Sequence, residues 1–261
     1  MRCQVVVSRE NAASQNIKQA LLEATSLAQE GEGFWSCKEF DMAEYKGRIV
    51  EIEPSRDAGC YVFASTHKSE KGKPSFTAHT PGNWGSAMLG GTPRTLNVAC
   101  GSKVAAAARR MKELSEKSLG WEVSIEVDHH GPTLGKPVLF VEIGSSEPEW
   151  GNADAGRIAA QGVLAAIGAS PQGEVAVGFG GSHYCPKFGP IALSGKQAFG
   201  HIISGYSLER DGVDEGMLGQ AFSRSVEKAG FAMIDWKGIK GETRGRLISA
   251  LEGMGIEWMK A

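Results

Sequence analysis

With 261 residues, 41% hydrophobic and 22% charged, the chain is long enough to bury a substantial core and has the composition of an ordinary soluble domain. A formal net charge of −2 argues against a protein that coats nucleic acid, although clustered charge could still hold one RNA terminus. There is no run of about 18 apolar residues, no signal-peptide pattern and no C-x-x-C pair among Cys3, Cys37, Cys60, Cys100 and Cys185, so we expect a cytoplasmic protein with reduced thiols and no membrane attachment.

In chain order, Cys3 to Val7 is a short β-branched run, and Ile17, Leu21, Ala24 and Leu27 follow at helical spacing after Ser14, so the chain opens strand then helix. Arg48 to Glu53 and Cys60 to Ala64 read as strands around an Asp57-Ala58-Gly59 turn, with a shorter one at Ser75 to Thr77. Ser102 to Lys117 predicts a helix with Val104, Ala108, Met111 and Leu114 inward, and Lys103, Arg110 and Lys117 as an outward basic stripe. Trp121 to Val127 alternates, whereas Val138 to Ile143 is nearly all apolar, as expected of a central strand buried on both faces. Asp154 to Ile167 reads as a helix, Glu174 to Phe179 as a strand, and Asp214 to Lys228 and Thr243 to Met254 as two more helices. This pattern predicts a single α/β domain over residues 1–261, with a mixed, mostly parallel central sheet and helices on both faces. Residues 200–261 read as a helical C-terminal appendage to it.

Many of the 35 glycines sit beside polar residues in a few loops, where a tight turn or close approach to a ligand needs them. One loop is Ala78-His79-Thr80-Pro81-Gly82-Asn83-Trp84, which holds imidazole, hydroxyl, amide and indole within a few residues. A second is Asp128-His129-His130-Gly131-Pro132-Thr133. Adjacent histidines on an extended chain point to opposite sides, so both face one cavity only if the chain bends there, and Gly131-Pro132 permits that. Glu142, in the apolar strand that follows, is a charge too costly for a sheet interior unless it pairs, coordinates or reaches a crevice. A third loop, Gly178 to Phe188, carries His183 and Lys187 behind the Gly180-Gly181 pair, whose backbone N–H groups are candidates for an oxyanion site. P-loop, H-E-x-x-H, G-x-S-x-G and G-x-G-x-x-G patterns are absent, which removes most support for nucleotide hydrolysis and dehydrogenation.

Together, Ser65-Thr66-His67-Lys68-Ser69, His79-Thr80-Pro81-Gly82-Asn83-Trp84, His129-His130-Gly131-Pro132-Thr133, Phe140-Val141-Glu142-Ile143-Gly144-Ser145-Ser146-Glu147 and Gly180-Gly181-Ser182-His183-Tyr184-Cys185-Pro186-Lys187-Phe188 resemble the archaeal and plant type of D-aminoacyl-tRNA deacylase. Gly200-His201-Ile202 and Lys237 to Glu242 continue the resemblance in the same order. Cys185 departs from it where a small apolar residue is expected, and Thr66 where an Arg is common. The resemblance implies a phosphorylase/hydrolase-like α/β fold, zinc dependence, and hydrolysis of the ester between a D-amino acid and tRNA, which is gripped by its 3′ end and acceptor stem without any obligate protein partner.

Such an ester needs a positioned water, a base or metal to activate it, and donors for the oxyanion. With no suitably spaced cysteines, a zinc site would draw on His129, His130, Glu142 and His183. A metal-free arrangement would use His79 as general base, Asn83 to orient water or carbonyl, and glycine-loop amides for the oxyanion, with His183 moving a proton. His67, Thr80 and His201 are candidates to line the substrate, and Lys103, Arg110, Lys117 and Lys187 to contact RNA. A nucleoside phosphorylase or zinc peptidase-like hydrolase on a related fold is the rival reading.

Overall fold

A computed structural model describes residues 1–70, 72–171 and 173–261. The chain opens with β1 (Cys3–Ser8) and α1 (Ala12–Ala24), then three strands, β2 (Ala28–Gly31), β3 (Phe34–Ser36) and β4 (Phe40–Tyr45). Next come β5 (Cys60–Lys68), β6 (Ser75–His79), a small ribbon of β7 (Gly82–Asn83) and β8 (Thr95–Leu96), and α2 (Gly101–Glu116). Then follow β9 (Glu122–Ile125), β10 (Val138–Ser145), α3 (Glu147–Trp150), α4 (Ala153–Gly168) and β11 (Glu174–Phe179). The last part holds α5 (Phe188–Leu193), β12 (Phe199–Ile203), α6 (Gly205–Asp211), α7 (Glu215–Ser223), β13 (Lys228–Ile234), α8 (Gly241–Gly253) and β14 (Trp258–Lys260).

Eight strands form one mixed sheet in the order β2-β3-β4-β1-β5-β10-β6-β9, and four form a second, all-parallel sheet in the order β12-β11-β13-β14. In the large sheet β4, β1, β5 and β10 are mutually parallel, and β6 joins antiparallel to β10. Strand alternation divides the apolar residues between two faces. Val5, Val7, Val62, Ala64, Leu139, Val141 and Ile143 face the core shared with α1, α2 and α4, while Val6, Tyr61, Phe63, Val138 and Phe140 pack under Ile49, Ile52 and Ala58. The helices are seated by local chemistry: the Asn11 side chain caps α1 by accepting from Ser14 N, and Asn152 caps α4 by accepting from Ala155 N. Gly162 of α4 lets α2 come close, since a Cβ there would lie 2.7 Å from Met111. The second sheet shares the large core through Ala176, Phe199 and Ile202, and its other face buries Val177 and Phe179 against α6, α7 and α8.

The mixed, mostly parallel α/β architecture is the one expected, with three departures. Arg48 to Glu53 is no strand but holds a 3-10 turn at Ile49–Glu51 that covers one sheet face. The helix expected over Asp214 to Lys228 stops at Ser223, and the chain enters β13 at Lys228. Residues 200–261 are therefore no helical appendage, because they supply most of β12 and all of β13 and β14. Lys103 also departs from the outward stripe. It is 2% exposed, and its Nζ donates to the carbonyls of Ala166, Ile167 and Ala169 at 2.7, 3.2 and 2.8 Å, closing the end of α4.

Candidate active site

The two sheets meet along the segment that follows β9. Glu126 N donates to Ala78 O, Val127 N to His183 O and Asp128 N to Ile202 O, so this stretch is laced to β6, to the loop after β11 and to β12. His130 then adopts φ 48°, the left-handed region that β-carbon sterics disfavour. That turn is the bend the adjacent histidines required, and it brings the His129 and His130 rings to 4.3 Å between centroids. Register does the rest. His67, next to last in the parallel run of β5 beside β10, pairs with Gly144, and Thr77 of β6 stands opposite Glu142, whose Oε2 accepts from Thr77 Oγ1 at 2.9 Å.

The Glu126 carboxylate is buried at the centre. Its Oε1 lies 3.2 Å from His67 Nδ1 and 3.4 Å from His183 Nε2, and its Oε2 lies 3.4 Å from His79 Nδ1 and 3.8 Å from His129 Nε2. None of these approaches has hydrogen-bond geometry to Glu126, and both its oxygens, with His79 Nδ1, are buried without a hydrogen-bond partner among the described residues. Such orphans are rare in native interiors and point to a missing ion, water or substrate. Three donor groups, His79 with His129 and His130, His67 with Glu126 and His183, and His79 with Glu126 and Glu142, each place their ligand atoms within 4.8 Å of one another.

Protonation suits a cation. Burial, then the neighbouring imidazoles, pushes the His79 and His129 pKa values well below the ordinary histidine range, and burial pushes His130 down to about 4. These rings are neutral at pH 7 and keep a lone pair. His129 Nδ1–H donates to Val127 O at 2.9 Å and His130 Nδ1–H to Gly131 O at 2.6 Å, which directs each Nε2 lone pair inward. His79 Nε2 lies 3.2 Å from His130 Nε2, a pairing that needs a shared proton or a cation. His67 behaves oppositely: burial disfavours its charge, but Glu142 and Glu126 outweigh that and raise its pKa. Tyr184 OH meets His67 Nε2 at 3.0 Å, and Tyr206 OH stands 3.5 Å from His183 Nδ1.

A cavity of about 530 Å³ opens onto this cluster, lined by His67, His129, His130, Glu142 and His183 on one side and by the loops after β1 and β4 on the other. Of the residues singled out in the sequence, His67, His79, His129, His130, Glu142 and His183 come together. Others do not. Asn83 spends its amide on Gly90 O and Thr92 O at 3.0 and 3.3 Å, tying a loop. Thr80 is buried and donates to Gly200 O. His201 is fully buried between the Asp128 carboxylate and Arg224 O, with a pKa raised by Asp128 against the cost of burial, and it fastens β12 to the segment after β9. The Gly180 and Gly181 amides donate to Ile203 O and Gly238 O, so they are not available to an oxyanion. Arg110 and Lys117 both pair with Glu113, and Lys187 is exposed with no ion pair among the described residues. Glu126, Tyr184 and Tyr206 were missed. The one signal for Glu126 was a carboxylate set between Ile125 and Val127 immediately before the Asp-His-His run.

Comparison with known proteins shows the family of the chain. A family model described as D-aminoacyl-tRNA deacylase matches residues 54–259. Proteins named D-aminoacyl-tRNA deacylase from Pyrococcus furiosus, Methanocaldococcus jannaschii and Methanosarcina mazei are 35%, 36% and 37% identical, over 98%, 99% and 98% of this chain and 98%, 99% and 91% of their own. A crystal structure described as a conserved protein of unknown function superposes with a TM-score of 0.89 at 31% identity, over 99% of this chain and 95% of that one. By sequence along nearly its whole length, the chain belongs to the D-aminoacyl-tRNA deacylase family.

Proposed function

We propose that this chain is a cytoplasmic hydrolase that cleaves the ester between a D-amino acid and the 3′ end of tRNA, releasing both. The observation that carries the reading is the buried, unpartnered Glu126 carboxylate ringed by His67, His79, His129 and His183, three of which line an open cavity. An ester is already activated, so water, a base and charge stabilisation suffice, and this residue set supplies them.

The residues fit a zinc ion. His79, His129 and His130 offer three neutral imidazoles, and each directs its other nitrogen outward, to Val127 O, to Gly131 O and, for His79, toward Glu126. That assignment keeps His129 and His130 from the expected ligand pool, adds His79, and leaves Glu142 and His183 free. When bound, zinc would supply Lewis acidity toward the ester carbonyl and lower the pKa of a nearby water. Glu126 stabilises positive charge on the surrounding rings. His183, its side chain 31% exposed and facing the cavity, takes the proton from the attacking water at Nδ1 while its Nε2 leans on Glu126 Oε1. The water oxygen bonds to the carbonyl carbon, the carbon–ribose oxygen bond breaks, and the same proton passes to the leaving oxygen. Thr77 and His67 hold Glu142 in place beside the cavity. Lys68 and Arg48, on the cavity rim, face the end of the RNA.

The test is single-turnover deacylation of D- and L-aminoacyl-tRNA with zinc content measured on the same preparation. The reading expects fast D-ester hydrolysis, slow L-ester hydrolysis and about one bound zinc. Equal rates on both stereoisomers would overturn the proofreading role, and phosphorolysis of a nucleoside in free phosphate would favour the rival activity.

A further inference from the structure

We propose that Glu10 recognises the α-ammonium group of the substrate, and so selects aminoacyl esters with a free amine over N-acylated ones; this rests on the deacylase reading above. Glu10 lies in the loop between β1 and α1 and lines the same cavity as His129, His130 and His183. Although the side chain is exposed, it is fixed in place. Its Oε2 accepts from Gly47 N at 2.8 Å and from Ser8 Oγ at 3.3 Å, and the Gly47 N–H holds the carboxyl below its ordinary pKa, so the group is an anion at neutral pH. Both bonds from elsewhere in the chain fall on Oε2, which leaves Oε1 to a ligand.

The charges around it are already spent. Arg48, on the same wall, turns to Glu51 at 2.6 Å, and Arg9 turns to Glu44 and Glu32. Glu142, the other acidic residue of the cavity, is buried and held by Thr77 and His67. Glu10 is thus the carboxylate in this cavity available to a ligand. An aminoacyl ester carries one charge close to its scissile bond, the ammonium on the carbon next to the carbonyl. Lys68, at the rim, repels that charge, and a fixed carboxylate attracts it.

The bland alternative is that Glu10 only ties down the Gly47 loop. Glu10→Gln separates the two, because an amide oxygen still accepts from Gly47 N while the charge is lost. The measurement is kcat/KM of the full chain for D-alanyl-tRNA and for N-acetyl-D-alanyl-tRNA, with melting temperature on the same samples. The wild type should prefer the free amine by about tenfold or more, the value of a charge-assisted hydrogen bond, and in Glu10→Gln that ratio should fall toward one through loss on the free-amine substrate. A ratio that survives the substitution, or equal losses on both substrates, overturns the proposal. If the variant fails to fold, the wild-type ratio decides, since equal rates on the two esters also overturn it. A wild type inert toward both esters instead defeats the deacylase reading on which this one stands.

Discussion

Glu126 Oε2 stands 3.4 Å from His79 Nδ1, and neither atom has a hydrogen-bond partner among the described residues. Two buried polar atoms left facing one another without hydrogen bonds cost free energy. A fold keeps such a pair where function needs it. Glu126→Gln should therefore lower single-turnover deacylation by about 100-fold, with a melting temperature no lower than wild type in the metal-free protein. A drop in melting temperature with normal turnover would make Glu126 a structural residue.

His129→Ala with His130→Ala removes two of the three imidazoles assigned to zinc. Zinc content per chain, read by elemental analysis after dialysis, should fall by more than about 10-fold, the range seen when supporting groups of a metal site are lost. Undiminished zinc would move the metal to the His67, Glu126 and His183 group.

His183 and His201 should respond oppositely to Ala. His183 faces the cavity and is partly exposed, so its loss should cut turnover by about 100-fold or more while sparing thermal stability. His201 sits in a buried ion pair with Asp128, and removing one partner strands a carboxylate, costing about 3 kcal/mol of stability. Melting temperature and turnover measured together on both variants decide the matter.

Lys103→Met should destabilise the fold by about 2 kcal/mol, because three buried carbonyls lose a charged donor, and leave tRNA affinity unchanged. Arg110→Ala with Lys117→Ala should reduce the salt slope of tRNA binding by no more than about 1, since the two cations share the single negative charge of Glu113. Lys68→Ala, at the cavity rim, should reduce the salt slope by about 1. Denaturant unfolding and binding titrations across salt concentrations separate these outcomes.

Stability of the metal-free protein should fall as pH drops. His79, His129 and His130 have depressed pKa values in the fold, so the unfolded chain binds more protons below the ordinary histidine value of about 6.5. Their contribution is present above that pH and is lost toward the folded value of about 4 for His130. His67 and His201 have raised values and act in reverse, contributing fully below 6.5 and losing that stability as pH climbs through their folded pKa values. The three depressed rings prevail in number, and urea midpoints at pH 7 and 5 test the sign.

Local pattern was enough to read the strands β1, β5, β10 and β11 and the helices α2 and α4, because burial on one or both faces writes a period of 2 or 3.6 into the chain. The same loops carried His67, His79, His129, His130, Glu142 and His183, whose residue types and order are legible without coordinates. Tertiary packing decided the rest. Lys103 reads as part of an outward basic stripe and His201 as a substrate-lining group, yet an α4 end and an Asp128 carboxylate, 63 and 73 residues away, took them inside. Glu126 follows β9 as the next polar place in the Trp121 to Val127 alternation, which reads as a solvated face, and only the arrival of the second sheet and its loops buried it among His67, His79, His129 and His183. Alternation tells which side of a strand a residue faces, but what covers that side is set by contacts between segments far apart in sequence.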